Sequence, residues 1–333
     1  MTPTGHQGPV GSRPAAAGPE LRSWAPLLAL IVLCLGFGLA EPGFATVENL
    51  WTIADRSAIP LILAVGSTFI ILQGSIDLSI EGVMAVSSLT FAMCALNSRT
   101  GLDLGVLGLV LAIFAGAGLG LLSGLVTTCL RVPSFMVTLG VWSLSAGIAM
   151  LLSGDQPPLI KDPMLRAFGL GRGLAVPNLF LVAVTVVLLG YALQSYTRFG
   201  RYSMVIGGGE DLARLLGLPV DRYKVLAFAF AGLLSGLGGA LESARIGLGH
   251  VEVGVGQMFA TITAVVIGGT SLGGGRGGVL QSVVGTLTLA VLTNGMIFVG
   301  ISPYAQKAVQ GALILLAVLV TTWPLRSRLR IVK

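Results

Sequence analysis

The sequence predicts an all-α, polytopic membrane protein of about ten transmembrane helices with both termini cytoplasmic. Three observations lead there. Of the 333 residues, 54% are hydrophobic and 10% charged, with a mean hydropathy of +0.91; a soluble domain carries about 25% charged residues. Ten apolar runs follow one another, each near the roughly 20 residues that carry a helix across a bilayer core. The 48 glycines recur within and between those runs, as they do where membrane helices pack closely. This composition leaves too few polar side chains to cover a water-facing surface. It excludes a soluble enzyme, a disordered chain and a nucleic-acid-binding domain.

Residues 1–23, rich in Gly, Pro and Ala, read as a disordered cytoplasmic tail. The run 24–41 is long for a signal peptide, follows a long leader and lacks a convincing small-x-small cleavage site, so it reads as a retained first span. The others are 58–73, 78–97, 105–130, 133–153, 175–195, 225–246, 257–271, 278–300 and 304–323. The second and eighth are short and interrupted by Gly. The transmembrane domain is thus 24–323, and 324–333 is a basic cytoplasmic tail. Cys34, Cys94 and Cys129 lie inside apolar runs and read as small buried hydrophobes.

Orientation follows from the basic residues. The loop 197–224 holds Arg198, Arg201, Arg214, Arg222 and Lys224, and the C-terminal tail holds Arg326, Arg328, Arg330 and Lys333. Four spans separate them, so they share a side. With ten spans, the N-terminus, Arg131 and Arg276 join them, which gathers thirteen of the twenty basic residues on the cytoplasmic face.

No G-x-x-x-x-G-K-[S/T] is present, so the chain does not hold nucleotide through a P-loop. There is no H-E-x-x-H; the two histidines are His6, in the tail, and His250, expected in a solvated outer loop. No catalytic, cofactor-binding or metal-binding residues are expected. Asp77 and Glu81 fall at the cytoplasmic start of the third span, Glu242 and Arg245 at the end of the seventh as an i, i+3 pair, and Lys307 at the outer end of the tenth. None falls at the midplane, where ion-coupled transporters commonly carry carboxylates.

Three segments carry information. In Gly207-Gly208-Gly209-Glu210-Asp211-Leu212-Ala213-Arg214-Leu215-Leu216-Gly217-Leu218-Pro219, Gly209 serves as N-cap, and Glu210 and Asp211 place negative charge in the first turn. Glu210 pairs with Arg214 at i, i+4. Gly217 and Pro219 stop the helix. Its eight or so residues span about 12 Å, with Leu212, Leu215 and Leu216 as an apolar stripe. A helix this short must lie against a partner, the bilayer or its own span ends. Its acids make it look more like a protein-docking element than a surface helix. In the second segment, Gly74 and Ser75 break the second span, and Asp77 or Ser79 can cap the third. In the third, Gly268-Gly269-Thr270-Ser271-Leu272-Gly273-Gly274-Gly275-Arg276-Gly277-Gly278 marks a sharp break or re-entrant turn. The last two segments resemble each other, as weakly duplicated, parallel copies would.

At these three segments the chain resembles the permease subunits of bacterial ABC sugar importers of the ribose type, over residues 24–323. The motif G-G-I-D-L-S-V-G appears as Gly74-Ser75-Ile76-Asp77-Leu78-Ser79-Ile80-Glu81. The motif G-G-N-E-x-A-A-R-x-x-G-I is met at Gly207, Gly208, Glu210, Ala213, Arg214 and Gly217, with Gly209 for Asn. V-x-G-G-T-S-x-x-G-G-x-G is met from Ile267 to Gly277; Gln281-Ser282 departs from the usual small residues. The resemblance implies a multi-pass protein of the bacterial inner membrane, a second permease copy (homo- or heterodimer), a cytoplasmic ABC ATPase subunit, and a periplasmic or lipid-anchored sugar-binding protein. It makes Gly208, Glu210, Asp211, Leu212, Arg214, Leu215 and Gly217 the coupling residues, and Gly74, Asp77, Ser79, Gly268, Gly269, Thr270, Ser271 and Gly274 the candidates for helix break and pathway. Permeases for nucleosides or branched-chain amino acids, an ion-coupled secondary transporter, and a membrane assembly subunit stay open.

Overall fold

The computed structural model describes residues 19–173 and 175–322. Its helices are α1 (Pro19–Ala40), α2 (Val47–Leu72), α3 (Ile80–Cys94), α4 (Val106–Cys129), α5 (Ser134–Ser153), α6 (Pro163–Leu170), α7 (Asn178–Tyr196), α8 (Arg198–Gly208), α9 (Glu210–Leu215), α10 (Val220–Ile246), α11 (Gln257–Ile267), α12 (Val279–Phe298) and α13 (Pro303–Thr322). Each of the ten apolar runs contains one of them. Among the described residues six helices, α2, α4, α5, α7, α10 and α12, are long and apolar enough to cross a membrane.

Several boundaries differ from expectation. The second run is not short: α2 has 26 residues and starts at Val47. Thr46 caps it by accepting from Asn49 N at 3.3 Å. The third run, 78–97, is short instead, and the eighth is short as expected. α3 has 15 residues, about 22 Å, and α11 has 11, about 16 Å; neither alone reaches across a core of about 30 Å. Residues 19–23 begin α1, while the rest of the expected tail and the basic tail 324–333 lie outside the described residues. The loop 197–224 holds two helices, α8 and α9, rather than one. The loop before α7 forms the short helix α6, which Asp162 caps by accepting from Met164 N at 2.8 Å.

The centre is built on α2 and α10, which are buried over most of their length. Phe69 of α2 stacks on Phe199 with ring centroids 4.8 Å apart and meets Phe230 edge-on at 5.5 Å. α4 docks on α10 through glycines four residues apart. A Cβ on Gly116 would stand 2.4 Å from Gly232 O, and one on Gly120 2.2 Å from Phe228 O. Only backbones without side chains approach this closely. The outward faces of α1, α4, α5 and α7 expose Leu39, Phe114, Leu151 and Leu188, apolar surface that suits lipid. Cys34 and Cys129 are on exposed surface and Cys94 is half-buried, so the cysteines are not core hydrophobes. The Glu242–Arg245 pair forms as expected, at 2.7 Å, and Asp55 adds a contact at 3.7 Å.

Candidate functional site

The 207–218 segment folds as the sequence requires, and its apolar face is bare. Gly209 stands at the N-cap of α9. Gly217 adopts a left-handed φ of +77°, Gly217 N donates to Arg214 O at 3.0 Å and Leu218 N to Ala213 O at 3.1 Å, the Schellman pattern. The helix has six residues, shorter than expected. Leu212, Leu215 and Leu216 are 61%, 84% and 69% exposed, so the stripe does not rest on the chain's own spans. The polar side is tied down: Arg214 donates to Glu210 at 3.0 Å and to Asp221 at 2.5 Å, and Lys224 donates to Glu210.

Partial burial would raise the Glu210 pKa, but hydrogen bonds and charge from Lys224 and Arg214 outweigh it and hold the carboxyl below its ordinary value. The hydrogen bond from Arg214 likewise lowers that of Asp221. Both are depressed in the folded state, so their stabilisation is complete above the unfolded values of about 4 and lost as pH falls through the lower folded ones. Protection of residues 207–221 against hydrogen exchange, taken relative to the intrinsic rate at each pH, is therefore expected to stay constant from about pH 7 to 5 and to fall below about pH 4.

The three informative segments meet at one junction at one end of the helix bundle. Gly275 N donates to Leu72 O at 2.9 Å. A Cβ on Gly207 would lie 1.8 Å from Leu72 O and 2.5 Å from Gly275 N; one on Gly274 would lie 2.8 Å from Gly74 N. The end of α8 is thus wedged, backbone against backbone, between the break after α2 and the break after α11. Both breaks close alike. At α2, Gly74 N donates to Ile71 O and Ser75 N to Ile70 O; at α11, Gly269 N donates to Val266 O and Thr270 N to Val265 O. Gly74 and Gly269 take φ of +72° and +107°, where glycine alone is unstrained. Polar side chains fix the surroundings: Gln73 donates to Ser203 Oγ at 2.9 Å, Thr68 to Ser282 Oγ at 2.7 Å, and Gly278 N to Thr270 Oγ1 at 3.2 Å. Ser271 N donates to Arg276 O and Ser271 O accepts from Gly274 N, both at 2.9 Å, closing the loop.

Beyond Gly74 the chain does not start α3 at once. It runs extended along α5, Ile76 N donating to Ser134 Oγ and Leu78 N to Thr138 Oγ1, both at 3.0 Å. Gly82 then abuts Trp142 and Ser145. From Ser134 to Ser145 is about 16 Å along a helix axis, roughly half of α5. Ser79 takes the N-cap position of α3 without a side-chain cap bond. Asp77 instead accepts from Ser79 N at 2.8 Å and Ser79 Oγ at 2.6 Å.

The depth expected for Glu81 is therefore corrected. It lies about halfway across, not at the cytoplasmic edge. Residues 249–256 run beside α3 from its C-terminal end toward its start: Gly249 abuts Ala92 and Leu89, His250 N donates to Ser88 Oγ at 3.1 Å, and Gly254 abuts Glu81. His250 is accordingly half-buried rather than solvated. Glu81 Oε1 accepts from Gly256 N at 2.9 Å and Met258 N at 3.4 Å. One carboxyl thus joins the N-termini of two incomplete helices, where both dipoles favour it.

Two open spaces flank this frame. A polar groove of about 670 Å³, between α9 and the break after α2, is lined by Gly74, Ser75, Arg131 and Glu210 among others. A cavity of about 490 Å³ lies among α2, α11, α12 and α13. None of the eight residues expected at the helix breaks and pathway lines that cavity; Asp77, Ser79 and Thr270 are buried in the frame.

Residues 49–318 match the family model described as branched-chain amino acid transport system / permease component. The chain is similar to the ribose import permease protein RbsC of Escherichia coli strain K12, 36% identical over 88% of this chain and 92% of that protein. It is similar to RbsC of Bacillus subtilis strain 168, 34% identical over 90% and 92% of the two chains. It is also similar to the L-arabinose transport system permease protein AraH of Escherichia coli strain K12, 31% identical over 88% of each. No solved structure matches the chain.

Proposed function

Since the chain belongs to the ABC importer permease family, and to its sugar-importing members by similarity along most of its length, we propose that two such subunits form the translocation pathway of an ATP-driven importer for a monosaccharide. It is a multi-pass protein of the inner membrane. It is not an enzyme; hydrolysis belongs to separate ATPase subunits. A sugar-binding protein, periplasmic or lipid-anchored, delivers the solute, and membrane lipid covers the outward apolar faces.

The observation that carries the coupling assignment is the bare stripe of Leu212, Leu215 and Leu216 on a helix too short to persist alone. That helix sits directly beside the junction of both helix breaks. A cleft in the ATPase covers the stripe, and movement of the ATPase pair is passed through Gly207 to Leu72, Gly274 and Gly275. Glu81 gives little support to an ion-coupled alternative. Its Oε1 is occupied by two peptide N–H donors at helix N-termini, a place unfavourable to a bound cation. Glu210→Lys puts a third cation beside Arg214 and Lys224, and Gly217→Pro forces a φ near −65° where +77° is needed. Both variants are expected to reach the membrane yet hydrolyse ATP without transport. The check is uptake and ATPase activity measured on the same vesicles, and full uptake by both variants contradicts the coupling assignment.

A further inference from the structure

We propose that the cavity among α2, α11, α12 and α13 is a binding station for a neutral monosaccharide on its way through the protein; this rests on the importer reading above. Its volume, about 490 Å³, lies in the range of small-molecule sites, roughly 300–1,000 Å³. The groups around it suit a polyhydroxylated, uncharged solute. Gln257, Thr293 and Gln310 present neutral amides and a hydroxyl, and Phe259 offers an apolar ring; the Asn294 amide already donates to Asn49 Oδ1 at 2.7 Å. Thr293 Oγ1 accepts from Gln310 Nε2 at 3.3 Å, which leaves its own proton free to donate.

The charges point the same way. Arg56 and Lys307 are among the lining residues and no carboxylate is, which disfavours a cationic solute. A lipid chain filling the space would leave the amides unused. The α11 wall is held in place, because Glu81 anchors its first turn through Gly256 N and Met258 N.

The test places a cysteine in the wall, Ala260→Cys or, separately, Thr293→Cys, after Cys34, Cys94 and Cys129 are each changed to Ala. The complete importer is reconstituted in vesicles with ATP and binding protein. It is treated with a small, membrane-impermeant methanethiosulfonate, with or without a pool of D-ribose, L-arabinose, D-xylose and D-glucose. The expected result is labelling during turnover that sugar at a few times its affinity constant slows about fivefold, as mass action requires. Labelling that sugar does not slow, or labelling only by a lipid-soluble maleimide, overturns the station. ATPase stimulation by the loaded binding protein, read on the same vesicles, separates the failures. Stimulation without protection removes the cavity site alone; no stimulation of the unsubstituted chain removes the importer reading beneath it.

Discussion

Replacing Gly207 by Ala is expected to abolish transport, whereas Gly208→Ala leaves it intact. The two glycines are neighbours at the end of α8, yet their surroundings are opposite. A methyl at 207 would meet Leu72 O at 1.8 Å, Gly275 N at 2.5 Å and Gly274 Cα at 2.9 Å. All three are backbone, so no rotamer change relieves the clash. The chains must part, which breaks the hydrogen bond from Gly275 N to Leu72 O. Overpacking costs about 1–3 kcal/mol and the lost hydrogen bond about 0.5–1.5 kcal/mol, at the point through which α9 is linked to both helix breaks. At 208 no atom lies within 4 Å of the added carbon. Uptake of the sugar carried by the binding protein checks the pair; equal uptake by both variants contradicts the junction.

The second large effect is expected at Glu81. Glu81→Leu removes the acceptor of Gly256 N and Met258 N and leaves two peptide donors unpaired about halfway across the fold. Gly256 is exposed and Met258 half-buried, so each lost hydrogen bond costs about 0.5–1.5 kcal/mol, and local opening of residues 250–258 rises roughly tenfold, since 1.4 kcal/mol is a factor of ten. Glu81→Gln keeps an acceptor oxygen and gives a smaller effect, limited to the loss of charge facing two helix dipoles. Hydrogen exchange of that segment in detergent reads both. Unchanged exchange in the Leu variant shows that Glu81 does not hold α11 to α3.

The ten helical runs were legible because hydropathy averages over a span, and the start and stop of α9 because Gly209, Gly217 and Pro219 act locally. The lengths of α2 and α3 were not. Glu48, Asp55 and Arg56 mask the polar first half of α2. Apolar Ile76 and Leu78 look like the start of α3, although the chain there is not helical and α3 begins only at Ile80. An extended chain advances about 3.3 Å per residue against 1.5 Å in a helix, so those few residues carried Glu81 far deeper than a helical count placed it. The meeting of the three glycine segments is a tertiary event that no local pattern announces. One signal was present and unread: Gly116, Gly120 and Gly124 recur every fourth residue in α4, as Gly232 and Gly236 do in α10, the spacing of a close helix contact.

The central claim, that this chain is the membrane half of an ATP-driven sugar importer, is tested most directly by extracting the tagged protein in mild detergent, identifying what accompanies it, and reconstituting it. The account predicts an ABC ATPase chain at one per permease chain, and uptake that needs ATP and binding protein. A chain that purifies alone and moves sugar down an imposed ion gradient without ATP would contradict it.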